Sequence, residues 1–378
     1  MIIGIPKEIV DGEKRVGLVP ESFARLKGVA FHVQAGAGED AGAADSEFER
    51  AGAVVEKDAE SLYAASDLVV KVQPLGTSEA GLLKKGSSVV SFLYPLSHLE
   101  LVRALKEREA TAFAMELMPR ISRAQSMDAL SSQSLVAGYK AVLIAAESLP
   151  RLFPMLMTAA GTIAPARVFV LGAGVAGLEA IATARRLGAV VEAYDVRPAV
   201  KEQIESLGAK FVELPLEAMD AQTSGGYARA QSEDFYKKQQ ELLASHAGQS
   251  DVVITTALVP GSRAPLLVTE DAVKRMKRGS VVVDLAAEQG GNCALTEPGK
   301  TVIKYGVTIN GPLNLPSSMA PQASQLYSRN VATFLQPMLK EGVLSPDPND
   351  DLVKGTMVVQ AGKVLHEATR KALEGTAT

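Results

Sequence analysis

Three glycines, spaced Gly172-x-Gly174-x-x-Gly177, follow directly on the apolar run Val168–Leu171, and an alanine-rich stretch and the run VVEAYD come after them. Glycines at this spacing bring backbone N–H groups against a phosphate. The first permits a sharp turn after a strand, the second lets the backbone approach a pyrophosphate, and the third lets the next helix pack closely on the strand. Val175 and Ala176 open that helix, whose positive N-terminus would receive the pyrophosphate charge. Asp195 closes the following strand, where a carboxylate accepts hydrogen bonds from the adenosine ribose hydroxyls and repels a 2′-phosphate, which selects NAD(H). Val196 and Arg197 continue the same turn. The Arg197 guanidinium is of a type that meets a phosphate, so NADP(H) stays open as a second option there.

These residues need a strand, a helix and a second strand to hold them, and the sequence supplies all three. Leu178, Ile181, Ala182 and Leu187 recur at helical spacing up to Gly188, and β-branched residues open the run after it. Further β-rich runs at 211–214, 252–256, 280–285 and 307–310 alternate with helical stretches, so this half is expected to be a six-stranded doubly wound sheet. Thr255, Thr256 and Ala257 follow its fourth strand, at an end that faces the cofactor in such sheets. Runs at 2–5, 30–35, 68–72, 88–93 and 112–117 alternate in the same way in the first half. The chain is therefore expected to be α/β, with two Rossmann-like doubly wound parallel-sheet domains separated by a cleft. The expected division is 1–131 plus 321–378 for the first domain, with returning helices over 322–372, and 132–320 for the nucleotide domain.

Composition narrows the class. A chain of 378 residues with 47% hydrophobic and 22% charged residues is long enough for two ordinary domains. A net charge of −4 gives no electrostatic reason to expect nucleic acid. The single Cys293 excludes an intrachain disulfide and has no neighbouring His or Cys for a metal site. The start, MIIGIPKEI, shows no signal pattern, and the longest uncharged run, Tyr305–Ser328, is interrupted by prolines. A cytoplasmic chain is expected, with no direct membrane insertion and any membrane role through a partner.

The segment 219–250 is long and polar for a connection, and Gly225-Gly226 and Tyr227 lie within it. Ser232 before Glu233 and Asp234 has the pattern of a helix N-cap, so a helix is expected through Lys238 and Leu243. The residues before it, near 219–236, read either as a solvated insertion or as a mobile flap over the cofactor.

IGIPKEI with Arg15-Val16, VLGAGVAGLEA and DLAAEQGG at 284–291 together resemble the family that joins alanine dehydrogenase to the NAD(H)-binding component of proton-translocating transhydrogenase. MELMPRISRAQSMDALSSQS at 115–134, TSGGYA at 223–228 and LPSSMAPQAS at 315–324 resemble the transhydrogenase branch. The resemblance implies a homodimer that binds NAD(H) and exchanges hydride with NADP(H) on a partner subunit, while a membrane-spanning subunit couples the exchange to proton movement. The absence of a membrane segment up to Thr378 gives the expectation of the separately encoded subunit, peripheral to the inner (plasma) membrane through its partners.

The resemblance also assigns residues. Arg120, Gln125, Asp128 and Ser131 match its nicotinamide-contacting loop, and Tyr227 matches its flap tyrosine. In these roles the opposite charges of Arg120 and Asp128 are expected to staple the loop, while Gln125 and Ser131 offer uncharged hydrogen bonds; from the residues alone, the loop is a charged surface segment.

Oxidation of an amino acid needs a general base, whereas transfer between two nicotinamides needs only proximity, orientation and exclusion of water. The alanine dehydrogenase branch is expected to carry a histidine where this chain has Tyr94, and an aspartate before QGG where it has Glu288. Both departures favour direct hydride exchange. His98 begins a helical pattern and reads as a surface or capping residue. Arg15 and Lys71, which match the substrate-carboxylate positions of alanine dehydrogenases, keep a free-standing amino-acid dehydrogenase as the alternative. Their other reading is a structural ion pair or interdomain contact.

Overall fold

The computed structural model describes residues 1–214, 233–258 and 263–375. In the first half the strands are β1 (Ile2–Ile5), β2 (Ala30–Gln34), β3 (Ala53–Glu56), β4 (Leu68–Val70), β5 (Ser88–Ser91) and β6 (Thr111–Ala114). There follow β7 (Leu156–Thr158), β8 (Gly161–Ile163), β9 (Arg167–Leu171), β10 (Val190–Tyr194), β11 (Lys210–Phe211), β12 (Val252–Thr255), β13 (Val281–Asp284), β14 (Thr301–Lys304) and β15 (Val307–Asn310). The chain closes with β16 (Leu339–Lys340), β17 (Val343–Leu344), β18 (Met357–Gln360) and β19 (Lys363–Val364). It divides into two compact units, Met1–Gln133 with Pro316–Thr378, and Ser134–Leu315.

The first unit is built on one sheet of order β19-β18-β6-β5-β4-β1-β2-β3, parallel from β6 to β3. Its central strand β4 is buried along its length, as a parallel strand covered on both faces must be. Two elements depart from the sequence reading. β3 was missed because it is short and its Val54 is exposed. The segment 322–372 carries helices as expected, Ala320–Leu335, Asp351–Thr356 and Glu367–Gly375, but also strands that the sequence reading lacks: β18 pairs antiparallel with β6, Met357 opposite Phe113. The buried run Met357–Val359 satisfies its backbone in a sheet laid down far earlier in the sequence.

The second unit carries the sheet β11-β10-β9-β12-β13-β15-β14. The expected six strands are present, with a seventh, β14, antiparallel at the edge. The order reverses between β10 and β12 around β9, so the C-terminal end of β9 is the topological switch point where α/β sheets hold ligands. β12 and β13 are buried throughout.

The expectation that no stretch could span a membrane needs amending. The helix Ala129–Ser148 has the length and composition to do so, with a mean hydropathy of 1.2. Its Ala141, Val142 and Ala145 are fully buried in the core of the second unit, and Gly138 lies so close to Ala176 that a β-carbon would fall 2.1 Å from that carbonyl oxygen. Part of its apolar character is thus used in packing, with 39% of the span buried.

Candidate functional site

In the second unit, β9 ends at Leu171 and the chain turns at Gly172, whose φ of +98° suits glycine. A β-carbon on Gly177 would lie 1.9 Å from the Gly172 oxygen, so the helix Val175–Arg186 can approach the strand this closely only with glycine there. Among the described residues, a β-carbon on Gly174 would meet nothing within 4 Å, and no side chain caps the helix whose N-cap it forms. Open space in front of uncapped N–H groups fits a pyrophosphate, and it lies beside the strand end that carries Asp195. An NAD-type dinucleotide therefore fits the residues present.

Asp195 is buried, and its carboxylate is held from two sides. Oδ2 accepts from Ala173 N at 2.8 Å and from Arg197 Nη2 at 2.7 Å. Oδ1 accepts from Arg197 N at 2.9 Å and from Arg197 Nε at 2.8 Å.

The last residue of β12 and the two that follow it divide their work. Thr255 is fully buried and donates to Asp284 Oδ1 at 2.8 Å, so its side chain supports the site from within. Thr256 Oγ1 donates to the Gly172 oxygen at 3.1 Å and so braces the glycine turn. Ala257 is tied through its backbone to the side chain of Asn292.

Sequence reasoning missed Asp284 and Asn292 as individuals. Asp284 sits at a strand end, as Asp195 does, and that position was its signal. Its Oδ2 accepts from Thr296 Oγ1 at 2.7 Å and Cys293 N at 3.0 Å, which fixes the segment after β13. Asn292 carries no such signal. Glu288 is exposed and accepts from Asn314 N at 2.6 Å.

Tyr227 and the expected cap Ser232 lie outside the described residues. The helix expected beyond them runs Glu233–Gln249.

In the first unit, Arg120 is exposed just before the 3-10 helix Ser122–Met127 and Gln125 is exposed on it, while Ala124 and Met127 are the buried residues of that helix. Asp128 directs its carboxylate at Ser131, accepting from its N–H at 2.9 Å and its hydroxyl at 2.6 Å, and so caps the helix Ala129–Ser148. Asn330 Nδ2 donates to the Ser126 carbonyl at 2.9 Å, and Arg123 pairs with Asp350. The loop is thus pinned at several points while Gln125 stays exposed.

Tyr94 is 40% exposed, with a left-handed φ of +43°. Its N–H and that of Leu93 donate to Glu116. Burial raises the Glu116 carboxyl to about 7 despite these donors. His98 is the N-cap residue of the helix Leu99–Glu107.

Arg15 and Lys71 are both buried. Arg15 reaches Glu13 through Nε at 2.8 Å and Nη2 at 2.5 Å, and Gln133 through Nη1 at 2.9 Å. Burial alone would raise the Glu13 carboxyl, but the Arg15 hydrogen bonds and charge outweigh it and hold it at about 2. Lys71 Nζ lies 2.5 Å from Glu79 and 3.5 Å from Glu8. Burial pushes Glu8 up to about 7 against the pull of Lys71. Both cations thus serve internal carboxylates.

The switch-point glycine turn and the strand-end aspartate define a dinucleotide-binding α/β protein. Comparison with known sequences narrows this. Residues 4–137 match Alanine dehydrogenase/PNT, N-terminal domain, and residues 141–367 match Alanine dehydrogenase/PNT, C-terminal domain; the chain belongs to this family. It is 50% identical to the first portion of NAD(P) transhydrogenase subunit alpha from Rhodospirillum rubrum, covering 97% of this chain and 98% of that one. It is 31% identical to the alanine dehydrogenase of Halomonas elongata, over 98% and 96% of the two chains. Among solved structures, transhydrogenase from Sinorhizobium meliloti superimposes with a TM-score of 0.85 at 45% identity, covering 97% of this chain and 100% of that one.

Proposed function

We propose that this chain is the NAD(H)-binding component of a proton-translocating transhydrogenase, exchanging hydride directly with NADP(H) held on a partner subunit. The observation that carries the reading is the fit of a dinucleotide to Gly172, Gly174, Val175, Ala176 and Gly177 with Asp195, Val196 and Arg197 beside them. The greater identity to the transhydrogenase relative than to the alanine dehydrogenase supports the same branch. When bound, the nicotinamide supplies the hydride. The protein's part is to bind, orient and exclude water. The first-turn N–H groups of the helix Val175–Arg186 hold the pyrophosphate, Asp195 the ribose, and Thr256 keeps the turn in shape. Thr255 and Ala257 act through the packing and backbone around them.

In this reading Arg120, Gln125, Asp128 and Ser131 carry the nicotinamide end, with Asp128 and Ser131 holding the loop and Gln125 offering an uncharged hydrogen bond. Tyr227, outside the described residues, is assigned to the adenosine end by the resemblance alone. Tyr94 and Glu288 stand where the alanine dehydrogenase branch is expected to carry its histidine and aspartate. Arg15 and Lys71, the residues that favour the alternative, are engaged by Glu13 and Glu79.

The partners are an NADP-binding subunit and a membrane-spanning subunit, which would keep this chain cytoplasmic and peripheral to the membrane. A homodimer is supported by the hairpin β7–β8, whose Leu156, Met157 and Ile163 are exposed apolar side chains. The test of the site is Gln125→Asn. It should slow hydride transfer far more than it weakens NADH binding, because the shorter side chain misplaces the nicotinamide by about 1 Å. Equal loss in both would make Gln125 a binding residue only.

A further inference from the structure

Four N–H donors converge on Asp195, two on each oxygen, and three of them belong to Arg197. A carboxylate offers about four lone-pair positions, so this one has none left for a ribose hydroxyl. Two of the donors, Ala173 N and Arg197 N, are backbone and stay in place. The other two, Nε and Nη2, are the parallel edge of one guanidinium, one to each oxygen. Two neighbouring hydroxyls on a ribose present the same pattern, one O–H for each oxygen. The guanidinium edge therefore occupies the positions a vicinal diol needs. Its side chain is 17% exposed and that of Asp195 7%, so the arginine is the more accessible member of the pair.

We propose that Arg197 is an internal competitor of the nucleotide: its side chain latches Asp195, lowers the affinity for NAD(H), and reduces discrimination against a 2′-phosphate by neutralising the charge that repels it. This rests on Asp195 being the ribose carboxylate of a dinucleotide site. Binding of NADH moves the guanidinium off Asp195, and the lost ion pair is subtracted from the binding free energy. The same pair stabilises the nucleotide-free protein.

The test compares wild type, Arg197→Ala and Arg197→Lys by calorimetric titration with NADH and with NADPH, and by thermal melting without nucleotide. The latch predicts that Arg197→Ala binds NADH about fivefold more tightly, the scale of a partly exposed ion pair. The lysine variant, which keeps charge but lacks the fork, should fall between. The ratio of the NADPH to the NADH dissociation constant should rise in Arg197→Ala, and its nucleotide-free melting temperature should drop. NADH affinity that is unchanged or weakened in both variants would overturn the latch while leaving the site standing, because it would make Arg197 a bystander or a direct ligand. Absence of NADH binding to the wild type would overturn the site itself and the latch with it.

Discussion

The side-chain amide of Asn292 pairs with the backbone of Ala257 in both directions, Oδ1 accepting from Ala257 N at 3.1 Å and Nδ2 donating to Ala257 O at 2.9 Å. Nδ2 also donates to the Pro265 carbonyl at 2.8 Å. One fully buried amide therefore fixes both ends of the segment that follows β12. Asn292→Asp would turn two satisfied donors into an acceptor facing two carbonyls, at a cost of about 1–3 kcal/mol. Denaturant unfolding should show that loss, and NADH titration should show weaker binding. Unchanged values in both would remove Asn292 from the support of the site.

Asp195→Ala should weaken NADH binding and erode the preference for NADH over NADPH, since the acceptor for the ribose hydroxyls and the repulsion of a 2′-phosphate leave together. Titration with both nucleotides checks it. Unchanged affinity for both would sink the assignment.

Gly177→Ala should push the helix Val175–Arg186 away from the turn, because the new carbon would lie 1.9 Å from the Gly172 oxygen. Overpacking of this kind costs about 1–3 kcal/mol. A lowered melting temperature with a large loss of NADH affinity is expected. Gly174→Ala is the informative comparison: its carbon meets no atom of the described residues within 4 Å, so it should spare stability and damage binding alone.

Burial raises Glu8 and Glu116 from 4.5 to about 7, so the folded protein keeps their protons to higher pH than the unfolded chain does. Their contribution to stability is complete below pH 4.5 and is lost as pH rises toward 7. For each group this is at most about 3 kcal/mol. Glu13, held at about 2, acts oppositely and only below pH 4.5. Urea unfolding from pH 5 to pH 8 should show stability falling through this window. Glu116→Gln, which cannot ionise, should flatten its share of the fall; the same slope in the variant would contradict the assignment.

Much of the nucleotide unit was legible because its signals are local. An apolar strand, a glycine turn, an amphipathic helix and a strand-end aspartate all fall within 168–195. What escaped depends on distant partners. β18 exists because Thr111–Ala114 offers it an edge, and nothing in its own residues distinguishes it from a short buried helix. Thr255 was read as facing a cofactor from its place at a strand end, but its hydroxyl is drawn inward by Asp284, a partner on the neighbouring strand. The role of Asp128 as a helix cap was within reach, since Ser131 lies three residues on and an alanine-rich helix follows. The hold of Arg197 on Asp195 was hidden for another reason: both residues were identified, but the sequence does not say that their side chains engage each other.

The central claim is hydride exchange between nucleotides on two proteins. The most direct measurement mixes this chain with the NADP-binding subunit from the same source and follows reduction of an NAD+ analogue by NADPH, beside a control of this chain alone with alanine and NAD+. The account predicts rapid transfer that requires the partner and a silent control. Alanine-dependent reduction of NAD+ without the partner would contradict it and would give Arg15 and Lys71 a substrate.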